Sequence, residues 1–145
     1  MYVESILAGK GTEVATVEPT ATVQDALAVL RDRSVGALVV SHDGRAIDGI
    51  LSERDIVRRL ADQGEATLGM AVAEVMTSTV TTCAPKDTIE QLMWVMTERR
   101  IRHLPVMDGS GGLSGIVSIG DVVKSRLGHL ESENQALHDY ITHGR

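Results

Sequence analysis

The chain has 145 residues, a net charge of −6, 43% hydrophobic and 23% charged residues, and 2% aromatics with no phenylalanine. That suits one domain or two small halves with a core of Val, Ile, Leu, Met and Ala. The acidic balance argues against a general nucleic-acid or membrane-surface binder. Cys83 is the single cysteine, which leaves no disulfide framework or thiolate metal cluster and points to a reducing cytoplasm.

In chain order, residues 1–12, "MYVESILAGKGT", form an N-terminal segment whose apolar run is too short for a signal peptide. "VATVEP" reads as a short strand stopped by proline, and "TVQDALAVLRDR" as a helix capped by Thr22, with Val23, Ala26, Leu27 and Leu30 at helical spacing. "GALVVSHDGRAIDGILS" is a hairpin pattern about Asp43-Gly44, and "ERDIVRRLADQ" a second helix. A bridge over 64–78 contains glycines and a short helical run at 72–76. Then the order returns. "VTTCAP" is a strand, "TIEQLMWVMTER" a helix capped by Thr88, "HLPVMDGSGGLSGIVS" a hairpin and "IGDVVKSRLGHL" a helix. Residues 129–145 form a polar helical tail with Leu130, Leu137 and Ile141 as apolar points, expected to dock on the body or on a partner chain. No stretch approaches the roughly 18 apolar residues of a spanning helix.

The return is a true repeat. An offset of 66 matches Thr16 with Thr82, Pro19 with Pro85, Thr22 with Thr88, Arg33 with Arg99 and Leu38 with Leu104. It also overlays "GILSERD" (49–55) on "GIVSIGD" (115–121), keeping Gly, Ile, Ser and Asp. The unit is strand, helix, strand, strand, helix, with repeat 1 over 13–63 and repeat 2 over 79–128. One such unit makes a marginal core, so the two are expected to pack together.

The repeated corner admits two readings. Ser-x-x-Asp is a variant capping box, with Ser52 or Ser118 as the cap and Asp55 or Asp121 near the positive end of the helix dipole. The same geometry suits a ligand: free N–H groups for a phosphate, a carboxylate for a vicinal diol, and Ile50 or Ile116 as an apolar wall for a flat base. Cations for a phosphate are at hand in "ERRIRHLPV", with Arg99, Arg100, Arg102 and His103, and on the corner helices at Arg54, Arg58 and Lys124. Pro105 inside a strand suggests a break in the ladder that leaves neighbouring carbonyls free.

Together the two corners, the segment "VMTSTVTTCAPKDTIEQLMWVMTERRIRHLPV" and the repeated element order resemble the CBS domain, present here as a tandem pair, or Bateman module, over about 13–127. "SERDIVR" followed by "SIGDVVK" is similar to small bacterial proteins built of little else. The resemblance implies an α+β fold with two clefts between the repeats. It implies a regulatory role through an adenosine-containing ligand such as AMP, ADP, ATP, NAD or S-adenosylmethionine, with no required cofactor. One cleft would draw on Ile50, Ser52, Arg54, Asp55, Val80, Thr81, Arg102, His103 and Pro105. The other would draw on Ala15, Thr16, Gly36, Ala37, Val39, Ile116, Ser118, Gly120 and Asp121. The aspartates would hold ribose hydroxyls, and Ser52, Ser118, Arg102 and His103 would lie near phosphate. Gly36-Ala37 replaces Arg102-His103 and Gly120 replaces Arg54, so charged phosphates are expected to favour the Asp55 cleft.

The resemblance also implies a homodimer through the repeat helices, for which Met93, Trp94 and Met96 offer apolar surface, and an output to an effector protein in trans. No enzyme activity is expected: the two aspartates occupy matching corners rather than an acid–base pair, and nothing near Cys83 signals activation. The five histidines are scattered and no metal site is expected. The alternative is a ligand-free scaffold using the same fold for dimerisation.

Overall fold

The computed structural model describes residues 1–143. Its elements in order are α1 (Val3–Lys10), β1 (Thr16–Val17), α2 (Val23–Arg33), β2 (Ala37–Val40), β3 (Gly49–Ser52), α3 (Glu53–Gln63), α4 (Val72–Val75), α5 (Ile89–Arg99), β4 (His103–Met107), β5 (Leu113–Ser118) and α6 (Ile119–His143). A 3-10 turn, Gly64–Gly69, joins α3 to α4. The architecture is α+β, built as two copies of one unit.

Local chemistry sets the element starts. Thr22 accepts the Asp25 backbone N–H at 3.1 Å and Thr88 that of Gln91 at 3.2 Å, and each N3 side chain closes a capping box on the cap's own N–H. In repeat 1, β2 pairs antiparallel with β3 (Ala37 opposite Ser52, Val39 opposite Ile50) and β1 adds a parallel strand at the edge. In repeat 2, β4 and β5 pair in the matching register, His103 opposite Ser118 and Pro105 opposite Ile116.

The strand expected at "VTTCAP" is reduced to one bridge, between Cys83 and Val106. The physical reason is Pro105. Its counterpart Val39 donates its N–H to Ala15 O at 3.2 Å, and proline has no N–H to give. Cys83 N still bonds Pro105 O, and Met107 N bonds Cys83 O, both at 2.9 Å. Thr81 O, the counterpart of Ala15 O, receives no such bond. Pro105's own carbonyl is therefore taken, and the one its ring leaves open belongs to Thr81.

Each repeat closes its own core. Val23, Ala26 and Leu30 of α2 meet Leu38, Val40, Leu51 and Ile56; Ile89, Leu92 and Met96 of α5 meet Leu104, Val106, Val117 and Val122. Two further helices complete these cores. Val72 and Val75 of α4 fill the first, and Val3, Ile6 and Leu7 of α1 fill the second. Their docking matches bond for bond: Val72 N donates to Ala21 O at 2.8 Å and Val3 N to Asp87 O at 2.9 Å, while Val23 N meets Met70 O and Ile89 N meets Met1 O. The N-terminal segment, given no secondary structure by its sequence, is thus a helix that crosses to the second repeat.

The corner glycines are places of close approach. A Cβ on Gly49 would stand 2.5 Å from Met76 Sδ and 2.9 Å from Thr77 O; one on Gly115 would stand 2.7 Å from Leu7 Cδ2. On α5, Leu92 and Met96 are core while Trp94 is 66% exposed. The tail continues α6 without a break and does not fold back: Leu130, Leu137 and Ile141 are exposed. Residues 144 and 145 of the expected tail lie outside the described residues. Among the described residues, no helix is long and apolar enough to cross a membrane.

Candidate functional site

The two corners repeat one hydrogen-bond arrangement. At the first, Asp55 N donates to Ser52 Oγ (3.2 Å), and Asp55 Oδ2 accepts from Ser52 N (2.9 Å) and Ser52 Oγ (3.0 Å). At the second, Asp121 N donates to Ser118 Oγ (3.1 Å), and Asp121 Oδ2 accepts from Ser118 N (2.9 Å). In both, one carboxylate oxygen is committed to the cap. The other is open: Asp55 Oδ1 meets only the Thr77 hydroxyl, at 3.4 Å, and Asp121 Oδ1 accepts no bond among the described residues. The capping bonds therefore use one oxygen of each side chain and leave the other. Leu51 and Val117 point into the cores, so the alternation of a strand turns half-buried Ile50, Ser52, Ile116 and Ser118 to the opposite face.

The surroundings of the corners differ. At the Asp55 corner, Thr77 exchanges both backbone bonds with Ile50 at 2.9 Å, an isolated antiparallel bridge to β3. Val80 and Thr81 follow, and Arg99 Nη1 reaches Thr81 Oγ1 at 3.3 Å. Arg54 is exposed in the first turn of α3; Arg102 is exposed too, but its carbonyl accepts the Ile119 N–H at 2.8 Å, at the head of α6. At the Asp121 corner stands Lys10 from the end of α1. Its ammonium bonds Asp121 Oδ2 at 2.6 Å and Ile116 O at 3.1 Å. Burial opposes ionisation of Asp121, but the Lys10 hydrogen bond, the Ser118 N–H and the nearby ammonium charge outweigh it and hold the carboxyl below its usual range.

The remaining residues divide by register. Ala37 and Val39 lie opposite Ser52 and Ile50 in the sheet of the first corner; His103 and Pro105 lie opposite Ser118 and Ile116 in that of the second. Ala15 and Thr16 flank β2 from its other edge, and Gly120 is exposed in the first turn of α6. The repeats meet where a Cβ on Gly36 would stand 3.5 Å from His103 Cε1 and 3.8 Å from Glu53 Oε1. Burial, and then the Lys10 charge, push the His103 imidazole below its ordinary pKa. That favours its neutral form, so Arg102 is the stronger cation of the Arg102–His103 pair.

Sequence reasoning missed Lys10 and Thr77. Neither belongs to the repeated corner, and Lys10 is 111 positions from its partner. Thr77 had a weak signal, a hydroxyl just past the short helical run at 72–76. A cleft of about 350 Å³ opens elsewhere, between Cys83, Asp87, Trp94 and Leu104. Burial, and then the Asp87 charge, push the Cys83 thiol up to about 12, which makes it an inert core group.

The family described as CBS domain matches the chain twice, over residues 8–62 and 72–128. A mitochondrial CBS domain-containing protein of Arabidopsis thaliana is 39% identical over 127 residues, covering 85% of this chain and 61% of its own length. The chain thus spans about three fifths of that relative. The crystal structure of a CBS-domain containing protein from Agrobacterium tumefaciens is 43% identical with a TM-score of 0.83, covering 87% of this chain and 99% of its own. A CBS domain protein from Pyrobaculum aerophilum, solved in complex with AMP, is 25% identical with a TM-score of 0.74, covering 83% and 89%.

Proposed function

Since the chain belongs to the CBS domain family, with two copies in tandem, we propose that it is a regulatory module that binds an adenosine-containing nucleotide between its repeats. The observation that carries this reading is the free second oxygen on each corner aspartate. Asp25 leaves an oxygen over in the same way but is exposed, whereas Asp55 and Asp121 are half-buried just past the strands that carry Ile50 and Ile116. The AMP bound by the Pyrobaculum relative supports the choice of ligand class.

The Asp55 corner is the main seat in this reading. Asp55 Oδ1 meets only the Thr77 hydroxyl, at 3.4 Å, and exposed Arg54, with exposed Arg102 from the second repeat, would meet phosphate. The open carbonyl of Thr81 offers an acceptor for the amino edge of an adenine. At the Asp121 corner Lys10 already neutralises the carboxylate through Oδ2 and occupies Ile116 O, so a ribose on Oδ1 would meet a weaker acceptor there. The ligand would favour one relative placement of the repeats, to the extent of its differential affinity, and pass that change to another protein. The module works as a homodimer in the cytoplasm and performs no catalysis of its own.

Isothermal titration with AMP, ADP, ATP, NAD and S-adenosylmethionine tests the reading. Binding by one of them, weakened at least about tenfold in Asp55→Ala and unaffected in the capping control Thr22→Ala, is the expected result. No heat with any of the five would leave the corners as helix caps and the chain as a scaffold.

A further inference from the structure

We infer that α6 pairs with α6 of a second copy of this chain as a short, parallel, two-stranded coiled coil with its register fixed at Asn134. The inference is independent of the nucleotide reading. α6 runs for 25 residues, and Val122 is its one buried residue among those described. Beyond it lies an apolar stripe: Val123, Leu127, Leu130, Leu137 and Ile141 are 46%, 55%, 43%, 57% and 68% exposed. With Asn134 they complete a spacing of 4, 3, 4, 3, 4. That is a heptad seam, with Leu127, Asn134 and Ile141 at the first core position, a, and Val123, Leu130 and Leu137 at the second, d. Most outward positions are polar, with Gln135 at b, His129 at c and Ser132 and Asp139 at f, Gly128 and Ala136 being the exceptions.

Asn134 is what identifies the occupant. In a parallel pair each a position faces its own copy, so two Asn134 amides meet and bond each other. In an antiparallel pair a faces d, which would bury the amide against Leu130 or Leu137 without a partner, a loss of stability. A partner of unrelated sequence gives no reason for one amide in an otherwise apolar seam. The flanks agree. In a parallel pair the g position faces the e position five residues on in the other helix. That sets Arg126 against Glu131, and Glu133 against His138, with no like charges opposed. Arg126 also approaches Glu90 of its own chain at 3.6 Å, and a guanidinium has donors for both. The seam from 123 to 141 is roughly 27 Å long. Under three heptads make a weak, concentration-dependent zipper that fixes which ends of two molecules lie together.

The test is cross-linking of the full chain. Asn134→Cys, oxidised in air with copper phenanthroline, is expected to yield a covalent dimer on a non-reducing gel, while Ser132→Cys on the outer face does not. Cys83 does not compete, being buried with its pKa raised to about 12. In sedimentation equilibrium, Leu130→Glu/Leu137→Glu should weaken the dimer at least about tenfold with the circular dichroism of the body retained. Equal cross-linking of Asn134→Cys and Ser132→Cys, or none in Asn134→Cys, overturns the parallel pairing. So does a dimer that the double glutamate variant leaves intact.

Discussion

Replacing Lys10 with methionine removes one ammonium and keeps most of the apolar stem. In the wild type that ammonium lies 2.6 Å from Asp121 Oδ2 and 3.1 Å from Ile116 O, with side chains 34% and 23% exposed for Lys10 and Asp121. A hydrogen bond to a charged group contributes roughly 1.5–3 kcal/mol, and partial exposure screens it. The expected loss is therefore about 1–2 kcal/mol at pH 7, or a melting temperature lower by roughly 2–8 °C. The pH dependence separates charge from packing. Asp121 is a carboxyl whose pKa is lowered in the folded state, so its contribution is present above the unfolded value of about 3.9 and lost as pH falls through the lowered folded value. In Lys10→Met the burial of Asp121 is opposed by less, and its pKa rises. Urea midpoints of both proteins from pH 7 to pH 2.5 should differ at neutral pH and converge at the acid end. A gap of the same size at both ends would assign the loss to the stem of Lys10, and no gap at pH 7 would remove the ion pair from the energetics of the corner.

The corner glycines should respond unequally: Gly49→Ala forces a methyl against a backbone carbonyl at 2.9 Å and should cost about 1–3 kcal/mol, while Gly115→Ala meets only the tip of Leu7 and should cost less. Equal urea midpoints for the two would contradict this. The Cys83 thiol, with its pKa pushed up to about 12, should react with iodoacetamide at pH 8 only as fast as the protein opens; labelling at the rate of a small free thiol would show it exposed. His42 is exposed, and the hydrogen bond and charge of Asp48, then the charge of Asp43, raise its pKa. Its stabilising contact is complete below about 6.5 and fades as pH rises through the raised value. Asp48→Asn should lower the His42 pKa in an NMR titration, and an unchanged curve would detach the pair.

Much of this protein was legible in its sequence because the information is local or periodic. Thr22-x-x-Asp25 and Thr88-x-x-Gln91 announce helix starts within four residues, and the capping geometry follows from the backbone's unpaired N–H groups. The 66-residue period carries the element order and both corners. It also carries the spare oxygen at each corner, since a serine and an aspartate three apart at a helix start leave one carboxylate oxygen over. Tertiary structure decided what depends on partners far along the chain. Pro105 was visible, but that it silences the donor owed to Thr81 and shrinks a strand to the Cys83 bridge follows only once the sheet exists. α1 has no repeat mate at the 66-residue offset; its counterpart α4 matches at 69, and its docking on the second repeat is a matter of which core lacks volume. That docking delivers Lys10 to Asp121 across 111 positions, so two corners alike in sequence differ in charge. Periodicity writes the two corners alike, and long-range packing makes them unequal.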